Sequence, residues 1–255
     1  MTTEVPKGER VAKVMARAGL CSRRDAERWI AEGRVSLDGT ILESPAVLAT
    51  AESDLRVDGK PLPKPEAARL WRYHKPSGLV TTHRDEKGRP TVFERLPQEL
   101  PRVISVGRLD LTSEGLLLLT NDGGLARALE HPSRGWIRRY RVRVHGAVDP
   151  DRLKSLERGL ILDGISYGPI RASLERVQGR NAWLTMALTE GKNREIRRVL
   201  AHLDLDVTRL IRIAYGPLQL GHLARGAVEE VPRRVLREQL GVATMKAYPN
   251  ADRRR

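Results

Sequence analysis

Apolar residues recur at helical spacing in two short segments near the start of the chain. In the first segment they follow the i, i+3, i+4, i+7 pattern of one buried helical face, at Val11, Val14, Met15 and Ala18. Gly19 is placed to end this helix. A second helix is predicted to begin at Ser22, because Ser22 and Asp25 have the spacing of a capping box. Its buried face is predicted to consist of Ala26, Trp29 and Ile30.

Turn and linker signals follow these helices. The dipeptide Asp38-Gly39 separates two strand-like stretches, 35–37 and 40–42, and Asp-Gly readily adopts the positive φ angles of a tight hairpin turn. Residues 9–58 are therefore predicted to form a small domain of two helices and a β-hairpin. Residues 59–68 include three prolines within five positions, which favours an extended linker.

Beyond residue 68 the pattern indicates strands. The apolar runs at 103–106 and 116–119 suit strands that are buried on both faces. Residues 139–144 alternate between arginine and apolar side chains, so one face of that strand is predicted to pack and the other to be cationic. Residues 182–188 alternate in the same way.

Helical spacing in this second part is confined to residues 124–130, 150–157 and 192–203. The sequence thus predicts an α+β fold. Residues 69–245 are expected to form a mixed, mainly antiparallel sheet with helices packed on it, and residues 246–255 a basic tail.

The composition narrows the class of protein. The chain has 255 residues, of which 40% are hydrophobic and 31% charged, and no apolar run approaches the roughly 18–20 residues that span a bilayer. The first residues lack the apolar segment of a signal peptide, and Cys21, the single cysteine, cannot form an internal disulfide. We therefore expect a cytoplasmic protein that does not associate with membranes.

The net charge of +14 favours a polyanionic partner, and nucleic acid first of all. Residues 1–68 carry equal numbers of basic and acidic side chains, so the whole excess lies in the rest of the chain. Residues 10–34 nevertheless form a local basic patch, so both parts of the chain can contact phosphate. The alternative is a protein that is basic without binding nucleic acid.

Metal and cofactor motifs are missing from the sequence. No G-x-G-x-x-G, P-loop or G-x-S-x-G motif occurs, and the lone cysteine has no CxxC partner. The six histidines show no paired helical spacing: His74, His83, His131, His145, His202 and His222. The sequence predicts no metal, no nucleotide cofactor and no serine nucleophile.

Three residues remain as candidates for chemistry. Asp110 follows an apolar strand at the rim of the predicted sheet, a common position for a catalytic group, although aspartate there more often caps a turn. Arg197 lies on the flank of a predicted helix, where a half-buried guanidinium would hold a carboxylate ionised and oriented, unless it packs only its stem. Tyr140 lies in an arginine-rich run, which suits a base-stacking platform and equally a core tyrosine.

Longer stretches around these three residues resemble the RsuA/RluB family of bacterial ribosomal RNA pseudouridine synthases. Residues 107–123, GRLDLTSEGLLLLTNDG, match the long signature of that family, whose aspartate is catalytic. Residues 75–81 resemble its first motif, residues 138–140 its tyrosine motif and residues 190–198 its third motif.

The two ends of the match carry information on the substrate. Residues 9–58 are similar to the S4-type RNA-binding domain that precedes the catalytic domain in this family. Residues 82–97 are most similar to the RluB branch, which acts on large-subunit RNA. The resemblance therefore implies the pseudouridine synthase fold, with ribosomal RNA of the large subunit as the partner. We also expect the protein to be a monomer.

The reaction implied by the resemblance is the isomerisation of a uridine without a cofactor. The N1–C1′ bond breaks, the uracil rotates while it stays bound, and C5 joins C1′. A stacked uridine cannot present these atoms, so it must be flipped out of its helix. Asp110 would be the catalytic carboxylate, Arg197 would orient it and keep it charged, and Tyr140 would stack on the uracil.

The resemblance and the charge pattern together also predict the RNA-contacting residues: Arg23, Arg24, Arg28, Lys75, Arg108, Arg138, Lys192, Asn193 and Arg194. Two other classes of function are alternatives to the enzyme. A ribosome-associated RNA-binding or assembly factor would explain the charge without any chemistry. A metal-dependent nuclease is disfavoured by the lack of clustered carboxylates and histidines.

Overall fold

The computed structural model describes residues 8–240. The predicted basic tail at 246–255, the last five residues of the predicted catalytic domain and the N-terminal residues 1–7 lie outside the described residues. None of the helices within residues 8–240 is long and apolar enough to cross a membrane.

The first part of the chain forms two helices and a small sheet. The predicted capping box is confirmed, because the Ser22 hydroxyl accepts a hydrogen bond from the Asp25 N–H and the Asp25 carboxylate accepts one from the Ser22 N–H. The elements of this part are β1 (Glu9–Arg10), α1 (Val11–Arg17), α2 (Arg23–Ala31), β2 (Val35–Leu37), β3 (Thr40–Ile41), β4 (Leu48–Ala49), β5 (Leu55–Val57) and β6 (Lys60–Pro61).

The predicted linker begins inside this small sheet, whose strand order is β3-β2-β5-β6. Asp58-Gly59 turns the chain from β5 into β6 with φ angles of 50° and 76°, as Asp38-Gly39 does between β2 and β3 with 51° and 83°. Leu62 then packs against the core of the small unit. The prediction of a linker over residues 59–68 was therefore wrong at its start, because the second Asp-Gly dipeptide forms a hairpin turn that adds β6 to the small sheet.

The second part of the chain contains most of the strands. Its elements are β7 (Leu70–Lys75), β8 (Ile104–Val106), β9 (Ser113–Thr120), α3 (Gly123–Glu130), β10 (Arg138–His145), α4 (Pro150–Ser155), β11 (Leu160–Leu162), β12 (Ile165–Tyr167), β13 (Ile170–Gln178), β14 (Asn181–Leu188), α5 (Glu195–His202), β15 (Asp206–Tyr215), β16 (Leu218–Gln219), β17 (Val228–Glu230) and α6 (Arg233–Leu240). Single 3₁₀ turns occur at Phe93–Arg95, Pro132–Arg134 and Leu156–Arg158.

A nine-stranded sheet organises this part. Its strands follow the order β13-β14-β10-β15-β9-β7-β17, with β16 beside β15 and β8 beside β9. Among the described strands of this sheet, β15 and β9 run parallel and all other pairs are antiparallel. The predicted α+β architecture with a mixed, mainly antiparallel sheet is confirmed.

The helices cover the sheet with apolar side chains. Leu153 of α4 and Leu200 of α5 pack with Val142 and Leu184 in one core cluster, and α3 packs on Leu116 in another. The run 116–119 is fully buried, as its continuous hydrophobicity predicted.

Two backbone features position the site described below. Gly115 lets β15 approach β9, because a Cβ at this residue would lie 2.3 Å from the Arg212 carbonyl oxygen. Helix α5 begins at Glu195 and not at Lys192 as predicted, because Arg194 has a left-handed φ of 50° that breaks the helix before it starts. Lys192–Arg194 is consequently a loop.

Candidate active site

A cleft of about 880 Å³ opens between the sheet and the loops at its rim. Its walls come from β10, β15, the loop between β8 and β9, residues 80–89, the loop before α5 and one side chain of α2. Eight of the twelve predicted site residues line it: Arg24, Arg108, Asp110, Arg138, Tyr140, Lys192, Asn193 and Arg194. Both parts of the chain therefore contribute to one basic cleft.

Asp110 lies half-buried in the loop between β8 and β9. Within residues 8–240, no group forms a hydrogen bond or an ion pair with its carboxylate. The backbone of the loop, in contrast, is tightly held, since each carbonyl oxygen from Leu109 to Ser113 accepts at least one hydrogen bond. The carboxylate thus lines the cleft from a fixed main chain.

Lys75 supplies three of these hydrogen bonds. Its side chain is fully buried, and its ammonium donates to the carbonyl oxygens of Ser113 at 2.8 Å and of Asp110 at 3.1 Å. Burial lowers the pKa of Lys75 to about 8, although the charges of Asp110 and Glu114 oppose the fall. The prediction that Lys75 contacts RNA is therefore wrong: the ammonium is directed at the backbone of the Asp110 loop and is out of reach of a phosphate.

Arg197 reaches the same loop from α5. It is half-buried, as its position on the flank of the helix predicted, whereas Arg198 is exposed. Its guanidinium donates to the carbonyl oxygens of Val207 at 3.1 Å and of Thr112 at 3.3 Å, and it forms no ion pair with Asp110. Burial lowers the pKa of Arg197, while the nearby charge of Asp110 acts in the opposite direction. The expected ion pair between Arg197 and Asp110 is thus replaced by a hydrogen bond from Arg197 to the Thr112 carbonyl oxygen.

Thr81 completes the support of the loop. Its hydroxyl donates to the Leu109 carbonyl oxygen at 2.8 Å and accepts from the Leu109 N–H at 3.3 Å. The Gly78 N–H donates to the Leu111 carbonyl oxygen at 2.7 Å. Because Thr81 directly precedes the segment 82–89, most of which lines the cleft, this side chain connects that segment to the Asp110 loop.

Tyr140 occupies the floor of the cleft. It lies in β10 with 8% of its surface exposed, and its cross-strand partners are Met186 on β14 and Arg212 on β15. This placement supports both interpretations of the sequence, since the ring belongs to the apolar core and also lines the cleft. A flipped base in the cleft can therefore lie against it.

Two arginines surround Tyr215 beside Tyr140. The guanidinium carbons of Arg138 and Arg212 lie 4.8 and 5.2 Å from the centre of the Tyr215 ring. Arg138 also donates to the Tyr215 hydroxyl at 3.1 Å, and Arg212 donates to the Leu116 carbonyl oxygen at 2.7 Å. These contacts hold two positive charges at the wall of the cleft.

Two glutamates hold the loop Lys192–Arg194. Glu190 accepts hydrogen bonds from the Gly168 N–H and from the Lys192 ammonium, while Glu195 accepts one from the Lys192 N–H at 2.8 Å. Burial raises the pKa of Glu195 to about 7, and the charge of Glu190 adds to the rise. The loop therefore presents its cationic side chains to the cleft from a backbone that is fixed at both ends.

The arginines of α2 separate into two groups. Arg24 lines the cleft, and Arg23 lies beside Gly123 at the start of α3. Arg28 instead pairs with Asp25 at 3.3 Å and with Glu32 at 3.6 Å and does not line the cleft. Of the three predicted contacts on α2, Arg24 is the one that the fold brings to the site.

The family of the chain follows from a comparison with known proteins. A family model described as RNA pseudouridylate synthase matches residues 69–202, a little more than half of the chain. The chain belongs to the RNA pseudouridylate synthase family. A second family model, the S4 domain, matches residues 9–55.

Relatives of this RNA pseudouridylate synthase support the assignment over nearly the whole chain. A Rickettsia felis protein, named an uncharacterized RNA pseudouridine synthase, is 48% identical across 89% of this chain and 99% of the relative. A Yersinia pestis protein, named ribosomal large subunit pseudouridine synthase B, is 42% identical across 97% of this chain and 82% of the relative. A solved structure of a pseudouridylate synthase has a TM-score of 0.63 and 25% identity, and covers 91% of this chain and 99% of that structure.

Some residues of this pseudouridylate synthase site were not predicted from its sequence. Thr81, Glu195 and Arg212 all line the cleft, and Arg212 and Glu195 are each only 3% exposed. The available signals were the motifs at 75–81 and 190–198, which include Thr81 and Glu195, and the charge of Arg212 inside the apolar run 210–214, which indicates a buried cation with a partner. Among residues 8–240, no three His, Cys, Asp or Glu side chains gather where they could hold a metal ion.

Proposed function

We propose that this pseudouridylate synthase converts a specific uridine of large-subunit ribosomal RNA into pseudouridine, with Asp110 as its catalytic carboxylate. The observation that carries the proposal is the position of Asp110: an unpaired carboxylate in a basic cleft, on a loop whose five successive carbonyl oxygens are all held. Relatives named ribosomal large subunit pseudouridine synthase B support the choice of RNA.

The proposed reaction needs an anion and a stacking surface beside a flipped nucleotide. The N1–C1′ bond breaks, the freed uracil rotates, C5 bonds to C1′, and the proton on C5 leaves while N1 gains one. Asp110 acts on the reacting nucleotide, and Tyr140 stacks on the uracil as it turns. Flipping costs a few kcal/mol, which contacts with the RNA backbone have to offset.

Preorganisation of Asp110 is assigned to three neighbours. Lys75, Thr81 and Arg197 donate to the backbone of its loop and do not touch the carboxylate. This division leaves the carboxylate free for the substrate while its position is fixed in advance, which is the arrangement that lowers reorganisation during a reaction. We therefore propose Arg197 as a positioning residue whose charge also acts on Asp110 at longer range.

The basic side chains of the cleft are proposed to bind the phosphates next to the uridine. Those predicted from the sequence are Arg24, Arg108, Arg138, Lys192 and Arg194, and the neutral amide of Asn193 lies among them. Arg23 and Arg28 are proposed to contact RNA further along α2, as part of an S4-like domain formed by residues 9–62. Because one chain supplies every wall of the cleft, we propose a monomer, and because bacterial ribosomal RNA is made in the cytoplasm, we place it there.

Mapping of pseudouridine in ribosomal RNA tests the function and its target together. Cells that lack the gene are compared with cells that regain it on a plasmid, encoding either the wild type or Asp110→Asn. We expect one pseudouridine of large-subunit RNA to be lost, and to return with the wild type alone. Loss of a site in small-subunit RNA would overturn the large-subunit assignment, and an unchanged map would overturn the proposed activity.

A further inference from the structure

The face of the sheet opposite the cleft carries a second set of arginines. In β10, Tyr140 points to the cleft, so the alternate residues Arg139, Arg141 and Arg143 point to the other side. In β15, Leu210 lines the cleft and its neighbour Arg209 lies on the far side. We call this surface the arginine face, and it consists of Arg139, Arg141, Arg143, Arg171, Arg176 and Arg209.

Strand register brings these six residues together across four strands. In the register of the sheet, Arg143 lies opposite Arg209 on β15 and Trp183 on β14. Trp183 in turn lies opposite Arg176 on β13. On the next rows, Arg139 and Arg171 flank Ala187 of β14 from its two sides. Adjacent strands lie about 4.8 Å apart, so the guanidinium groups share one continuous surface.

Acidic partners neutralise only part of this surface. Arg141 pairs with Glu175 at 2.9 Å and lies 4.5 Å from the Trp183 ring, and Arg209 pairs with Glu114 at 2.6 Å. In the described part of the chain, the guanidinium groups of the other four form no hydrogen bond or ion pair: Arg139, Arg143, Arg171 and Arg176. Like charges held this close repel one another and cost stability in the free protein.

Protection of a sheet edge explains only two of the four unpaired arginines. Charged side chains on an edge strand prevent pairing with other molecules, and Arg171 and Arg176 lie on the edge strand β13. Arg139 and Arg143 lie on β10, which is paired on both sides by β14 and β15 and has no free edge. Their charge therefore requires another reason, and a polyanionic partner supplies one.

We propose that the arginine face binds the phosphate backbone of the substrate RNA at a segment outside the cleft. The proposal rests on the proposed function in taking ribosomal RNA as the partner. Unpaired arginines complement a row of phosphates, which they can contact with two donors each. Since the cleft and the arginine face lie on opposite sides of one sheet, only an RNA that extends well beyond the modified uridine reaches both.

Two RNAs and matched charge variants test this. One RNA is a long large-subunit transcript, and the other is a short stem-loop with only the target uridine and its neighbours. The test variant Arg143→Gln/Arg176→Gln and the control Lys154→Gln/Arg158→Gln each lose two positive charges. The control residues are exposed on and beside α4, which packs on the cleft side of the sheet, and they do not line the cleft. A second variant, Arg139→Gln/Arg171→Gln, replaces the first if that one does not fold.

We expect the test variant to raise KM for the long transcript about tenfold, with kcat unchanged and with wild-type kinetics on the stem-loop. The slope of log affinity against log salt for the long transcript should fall by about one to two, one released ion for each lost phosphate contact. If the test variant binds the long transcript as tightly as the wild type does, the proposal is overturned, and an acidic protein becomes the expected partner. An equal loss of affinity for both RNAs would also overturn it. If the wild type modifies neither RNA, the proposed function fails. The affinities of the test and control variants for the long transcript still decide the role of the arginine face.

Discussion

The ammonium of Lys75 donates a hydrogen bond to the carbonyl oxygen of Asp110 at 3.1 Å, so a buried cation holds the peptide of the proposed catalytic residue. The same ammonium contacts Ser113 on the far side of the loop. A buried charge without such partners would be strongly destabilising, which explains why a lysine can be enclosed here. The contact between Lys75 and the Asp110 carbonyl oxygen is buried, yet it fixes the position of the Asp110 carboxylate in the cleft.

Replacement of Lys75 by methionine should separate this role from RNA binding. Lys75→Met keeps the length of the side chain but removes the ammonium that donates to the Asp110 and Ser113 carbonyl oxygens, and Asp110 then keeps only the bond from the Ser113 N–H. We expect a cost of about 1–3 kcal/mol in unfolding free energy. We expect kcat to fall about 10- to 100-fold while the affinity for RNA stays within about twofold, as measured by single-turnover kinetics and filter binding. The exposed Lys154→Met is the control. A selective loss of RNA affinity would show that Lys75 contacts the RNA after all.

Arg197 and Arg198 are adjacent arginines with different surroundings. Arg197→Met removes the donor to Thr112 in the Asp110 loop, whereas Arg198→Met changes an exposed side chain of the same helix. We expect kcat to drop about 100-fold or more for the first variant and by less than about threefold for the second. Arg197→Lys should recover part of the loss. Equal effects of the two methionine variants would contradict the positioning role.

Thr81 offers a conservative test of how the Asp110 loop is held. Thr81→Val keeps the shape of the side chain but removes both hydrogen bonds to Leu109, while Thr81→Ser keeps the hydroxyl. One or two lost bonds correspond to about 1–2 kcal/mol, so we expect kcat to fall about 5- to 30-fold in the valine variant with KM unchanged. Thr208→Val, which removes a bond to the Arg143 carbonyl oxygen outside the cleft, is the matched control. A serine variant as slow as the valine variant would rule out a role for the hydroxyl.

Glu195 should make the stability of the protein depend on pH. Its pKa is raised by burial to about 7 from its ordinary value of 4.5, so the folded state binds a proton more tightly than the unfolded state. The stabilising effect is complete below pH 4.5 and is lost as the pH rises through 7. Relative to Glu195→Gln, which cannot ionise, the wild type should lose about 1–3 kcal/mol of unfolding free energy across this range. A constant difference in urea unfolding between pH 4.5 and 7.5 would contradict it.

The sequence predicted local structure well where the signals are short-range. The capping box at Ser22, the strand alternation around Tyr140 and the half-buried flank position of Arg197 all depend on residues within one or two turns. The apolar strand predicted before it also placed Asp110 in a loop at the rim of the sheet. These features follow from periodicity and motif alone.

Long-range contacts were beyond the reach of the sequence. Lys75 was predicted to contact RNA from its family-like motif and its charge, but its burial depends on a loop 35 residues away. The left-handed φ of Arg194, which delays the start of α5, is a local feature, but the apolar spacing of residues 192–203 does not indicate it. Arg212 became part of the site through the pairing of β15 with both β10 and β9, which no local pattern specifies.

The most direct test of the account is product formation by Asp110→Asn. The variant keeps the size of the side chain and the backbone hydrogen bonds of the loop but removes the negative charge. Tritium release from RNA labelled at C5 of uridine should fall about 10²- to 10⁴-fold or more, with RNA affinity retained and with Asp163→Asn, on an exposed turn, as active as the wild type. Substantial tritium release by a folded Asp110→Asn protein would contradict the catalytic role of Asp110.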